Sequence, residues 1–110
     1  MPYINKVDRK KLDPLIDKLA EQIVLESKKY DYDAAFGGLL NYACTCLALK
    51  VVRLRFGKMR YWLIAVLTGV FKNVADEFYR RVGAPYEDLQ IKRNGDVDLY
   101  KKYFKNVKNK

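Results

Sequence analysis

Five basic side chains within eleven residues, Lys50, Arg53, Arg55, Lys58 and Arg60, are followed directly by Tyr61 and Trp62. Guanidinium forks bind phosphate in two directions at once, and aromatic planes beside them can stack a nucleobase. The chemistry this spacing suggests is binding of a phosphate-bearing ligand, either a nucleic-acid strand or a nucleotide. Lys50, Arg53, Arg55, Lys58, Arg60 and Tyr61 are therefore the candidate ligand-binding residues. The cluster also sits where a helix is expected to end, so part of it is explained by cations opposing the negative pole of a helix.

Catalytic chemistry is narrower. The chain has no histidine, which removes Ser-His-Asp and Cys-His sites, imidazole proton shuttles and His-ligated zinc. Metal-assisted phosphodiester cleavage is the one enzyme class the composition leaves open, with Asp76, Glu77, Glu87 and Asp88 as its carboxylates. Adjacent acids in a first helical turn are what the helix dipole favours anyway, and no second acidic motif accompanies them. Gly37-Gly38 lacks the lysine and hydroxyl of a phosphate loop. The expectation is a non-enzymatic protein with no metal and no cofactor. Cys44 and Cys46, two apart on a helix, point about 200° away from each other and are read as reduced, buried small residues.

The elements that must position these residues are helical. Length, 110 residues, suits one domain, here taken as residues 1–100 with 101–110 as a basic tail; half the residues are apolar and the net charge is +9. Asp13-Pro14 reads as the start of a helix over 13–30, with the carboxylate as cap and proline in the first turn. A second helix is expected over 39–56, closed by Gly57, and a third over 59–82, closed by Gly83-Ala84-Pro85. One or two short helices follow; a hairpin about Asn94-Gly95 is the competing reading of residues 89–99. The fold class is all-α, a small bundle of three main helices.

The third segment is apolar all round in its first half, and a helix greasy on every face must be covered on every face. So small a bundle has too little protein to cover it, which predicts a homo-oligomer through Tyr61 to Phe71. That stretch, taken as the longest nearly uncharged one, has eleven residues where a membrane span needs about twenty, so no membrane is expected. The start of the chain shows no secretory signal, which places the protein in the cytoplasm.

In order along the chain stand Met1-Pro2-Tyr3-Ile4, Leu12-Asp13-Pro14, Leu40-Asn41-Tyr42-Ala43, Glu77-Phe78-Tyr79-Arg80-Arg81-Val82, Ala84-Pro85-Tyr86-Glu87-Asp88 and Asn94-Gly95-Asp96-Val97. In these signatures, spanning residues 1–97, the sequence resembles a family of small uncharacterised proteins of bacteriophages and prophage-bearing genomes. It departs from them at Gly38-Leu39 and Thr45-Cys46, where that family carries an acidic residue and an arginine. The resemblance implies a helical fold and a phage setting, with the host cytoplasm as location and capture of a host-defence nucleotide signal between subunits as one form of ligand binding. The alternative function is a helical self-assembling module that docks on a host or phage protein.

Overall fold

The computed structural model describes residues 2–108 and is all-α. In chain order it contains α1 (Lys6–Ser27), α2 (Ala35–Phe56), α3 (Tyr61–Phe78), a π-helical stretch (Tyr79–Gly83), α4 (Ala84–Asn94) and α5 (Asp98–Lys108). No strand occurs among the described residues, so residues 89–99 form no hairpin: α4 ends at Asn94, capped by Gly95, and α5 begins at Asp98.

The helix starts differ from expectation. The first helix begins at Lys6, not at Asp13, because Asn5 is its cap: the Asn5 Oδ1 accepts from the Asp8 amide at 2.9 Å. Arg9 Nε adds a bond to the Ile4 carbonyl at 2.8 Å. Pro14 therefore lies inside α1, where it forfeits one intrahelical hydrogen bond. The second helix begins at Ala35 and takes Gly37 and Gly38 into its first turns. It ends where expected, at Gly57, whose φ of 83° no β-carbon-bearing residue adopts cheaply and whose amide donates to the Arg53 carbonyl at 3.0 Å.

At Gly83-Ala84-Pro85 the expected break does not happen. Phe78, Gly83 and Ala84 all keep right-handed helical dihedrals, and the Ala84 amide donates to the Tyr79 carbonyl five residues back. Proline cannot donate and its ring crowds the carbonyl four residues before it. Widening the turn to a π geometry carries the chain past Pro85 without ending the helix. After residue 97 the chain forms α5, which carries Lys101, Lys102 and Lys105, while residues 109–110 lie outside the described residues.

Two compact units divide the chain at Val70–Phe71. In the first, α1 and α2 pack against each other as a helical hairpin. In the second, the π stretch continues into α4 as one helix: the Tyr79 ring lies over Gly83, where a β-carbon would stand 2.6 Å from it, and its hydroxyl donates to Glu87 Oε2 at 2.9 Å.

Very little is buried. Among the described residues only Ala35, Val52 and Leu63 are inside. Trp62, Ile64, Val66, Val70 and Phe71 of α3 are each about half exposed. Cys44, expected inside, is exposed, and Cys46 is half-buried; both are free thiols.

The longest uncharged run is also not Tyr61 to Phe71 but residues 34–49, sixteen residues that begin at the cap of α2 and continue within it. By length and composition α2, at 22 residues, is apolar enough to cross a membrane.

Candidate functional site

The basic cluster is built on the last turns of α2 and the short link to α3, and these elements separate its members. Arg53 and Arg55 are two residues apart on a helix, about 200° around its axis. Arg53 and Lys58 meet at a hollow of about 350 Å³ beside the Gly57 turn, with Leu49, Val52 and Met59 as its apolar wall. Arg55 instead lies on the ring of its neighbour Phe56, 4.8 Å from the centroid, a cation–π contact. Phe56 in turn meets Trp62 edge to face at 5.2 Å and 84°, tying the end of α2 to the start of α3.

Arg60 serves α3 with its backbone: its carbonyl accepts from the Leu63 and Ile64 amides at 3.0 Å each. Two amides at the start of α3 are thereby occupied within the chain, leaving less of that terminus for an anion. Tyr61 is 84% exposed and meets no other ring. None of Lys50, Arg53, Arg55, Lys58 or Arg60 forms an ion pair among the described residues. Sequence order thus places six residues in one patch, and the structure brings together Arg53 and Lys58.

Lys50 belongs to a different feature. A groove of about 480 Å³ runs between α1 and α2, walled by Leu19 and Ile23 on one side and Leu39, Ala43, Cys46 and Leu47 on the other. It closes with Glu26 near the hairpin turn and Lys50 at the far end. Tyr42 also borders it, and the neighbouring Cys46 thiol raises its phenol above the usual tyrosine range. Glu26 accepts from Lys29 Nζ at 2.7 Å and from Gln22 Nε2 at 3.0 Å. The Lys29 hydrogen bond and charge hold its carboxyl below the usual range and raise the Lys29 ammonium. Both side chains are on the surface, so this pair adds little to stability.

This groove was missed from the sequence because each helix was read alone. The available signal was spacing: Leu19, Ile23 and Glu26 on α1, and Leu39, Ala43, Cys46 and Lys50 on α2, recur in steps of four and three. Among the described residues no three Cys, Asp or Glu side chains converge as metal ligands would, so the carboxylates Asp76, Glu77, Glu87 and Asp88 do not assemble into a centre.

A helical chain with an apolar groove and a dispersed basic junction is what the comparisons can be set against. The chain belongs to the family described as a domain of unknown function, DUF6899, whose model matches residues 1–97, that is α1 through α4 and the turn after it. Comparison with curated proteins and with solved structures finds no match.

Proposed function

We propose that this protein is a non-enzymatic, self-assembling helical module, acting in the cytoplasm as an interaction protein. One observation carries the reading: the α1/α2 hairpin leaves an open apolar groove lined by Leu19, Ile23, Leu39, Ala43 and Leu47, and large apolar side chains along both helices are half exposed. Exposed apolar surface of this kind marks an interaction site. The half-exposed residues between Tyr61 and Phe71 belong to that surface.

A bilayer is the other solvent an apolar helix can seek. It is disfavoured here because α1, packed beside α2, carries Asp17, Lys18, Glu21 and Glu26. Spanning with α2 would hold those charges in hydrocarbon at about 2.5–3.5 kcal/mol each. Light scattering over a concentration series is expected to show an oligomer, and replacing Trp62 or Ile64 with Glu to lower its order. A monomer at every concentration would overturn the reading.

A second reading, phosphate binding, is favoured by the convergence of Arg53 and Lys58 on one hollow without an acidic partner. Its ligand is a nucleic-acid strand or a nucleotide; in a phage setting this includes a host-defence signal held between subunits. Binding of labelled single-stranded DNA, RNA and cyclic nucleotides should weaken steeply with salt and be lost in an Arg53→Ala/Lys58→Ala variant. Arg55→Ala should matter less, since that side chain is engaged by Phe56. Binding that survives the double variant would place the ligand elsewhere.

A further inference from the structure

We propose that the groove between α1 and α2 is closed by the same groove of a second copy of this chain, the two hairpins forming an antiparallel four-helix bundle about a two-fold axis that crosses the helices. The inference rests on the self-assembly reading and names the surface that performs it.

The lining has the pattern of a helical seam rather than a ligand pocket. Leu19, Ile23 and Glu26 on one helix face Leu39, Ala43, Cys46 and Lys50 on the other, in the alternating steps of four and three that let helices interdigitate. On α1 the same spacing continues to Ile16 and Leu12, which are 57% and 48% exposed. Small-molecule sites gather several polar groups to orient a ligand. Here the middle of the groove is apolar and the charges stand at its two ends.

Those end charges choose the partner and its direction. Because α1 and α2 are joined by a short link, they run antiparallel, so Glu26 marks the turn end and Lys50 the open end. A two-fold axis along the helices would gather both Glu26 side chains at one end and both Lys50 at the other. A two-fold axis across the helices puts one Glu26 and one Lys50 at each end, so the groove complements itself. Lys50 has no ion-pair partner within the described residues, and the Glu26–Lys29 pair is a surface contact that can share its carboxylate. Closing this groove leaves the half-exposed apolar residues of α3, among them Trp62, Ile64 and Val66, for higher assembly.

The test uses the native thiol. In this arrangement α2 lies antiparallel to α2 of the second copy, with Cys46 near the middle of both. The full chain carrying Cys44→Ser should be joined into a covalent dimer by a short bis-maleimide, and the chain carrying Cys46→Ser should not. Lys50→Glu or Glu26→Lys alone places like charges at both ends and should weaken the dimer by roughly tenfold or more, while the double exchange should recover most of the affinity. Circular dichroism of each variant checks that the helices persist, and the recovery by the double exchange separates misfolding from repulsion. An oligomer without the Cys46 link, or single exchanges no weaker than the parent, would overturn the groove proposal and leave self-assembly standing. A monomeric parent chain would overturn both.

Discussion

The α1/α2 hairpin packs one helix on another, whereas the Tyr79–Asn94 segment is a single helix that packs along its own turns, and the two leave opposite remainders. At Tyr79 the contacts are between consecutive turns: ring on Gly83, hydroxyl on Glu87, all within eight residues. Such a segment completes itself. In the hairpin, residues 19–26 meet residues 39–50 across a turn, and together they build an open apolar groove within the first unit. Local polar packing needs only its own chain, whereas a seam of apolar side chains on two helices makes a surface whose stabilisation depends on what covers it.

The comparison breaks first if a charge in the groove is harmless. Ile23→Asp puts a carboxylate into the apolar wall and should raise the dissociation constant of the assembly by about a hundredfold or more, read by sedimentation. Unchanged association would mean that the hairpin, like the Tyr79–Asn94 segment, is complete alone.

A smaller effect sharpens the other side. Gly83→Ala sets a β-carbon against the Tyr79 ring at 2.6 Å, so the ring must turn away and lose Glu87. The substitution should lower the melting temperature even though alanine is the better helix former. In a Tyr79→Ala background the sign should reverse, with Gly83→Ala adding about 0.5–1 kcal/mol. Stabilisation by Gly83→Ala in the parent chain would show that the ring contact is dispensable.

The smallest effect is on titration. The hydrogen bond from Tyr79 to the Glu87 carboxylate, followed by the charges of Glu87 and Asp88, raises the phenol above the ordinary tyrosine value. A raised folded-state value means that the contribution is fully present below about pH 10 and lost as pH rises through the raised value. Tyrosinate absorbance should therefore lose one late-titrating component in Tyr79→Phe. Glu87→Gln should shift that component earlier. A Tyr79 that titrates with the bulk would mean that the hydroxyl does not hold Glu87 in solution.

Much of this was legible along the chain. Apolar periodicity and the absence of strand signals announce the all-α class, Gly57 closes α2, and Asn94-Gly95 separates two short helices. What failed was punctuation by proline. Asp13-Pro14 is a good helix start read locally, but Asn5 offers an earlier cap, and a helix already under way tolerates Pro14 at the cost of one bond. Pro85 looked like a stop because a proline inside an α-helix is costly; a π turn lowers that cost, and its signal is the Tyr79–Gly83 pair that lets the wider turn pack. For the candidate site, neighbours in sequence were taken as neighbours in space. The helical repeat alone already argued that Arg53 and Arg55 point apart.

By itself the sequence determined the helices, their approximate ends and the excess of apolar residues over what so short a chain can bury, because capping, periodicity and composition act through nearby residues. Only the tertiary structure decided that Lys50 leaves the basic cluster for the end of an apolar groove, that Arg55 is taken by Phe56, and that Arg53 and Lys58 remain together. The physical reason is the pairing of α1 with α2 and the tight turn at Gly57. Each fixes which face of a helix meets which neighbour, a relation between distant residues that no local spacing contains.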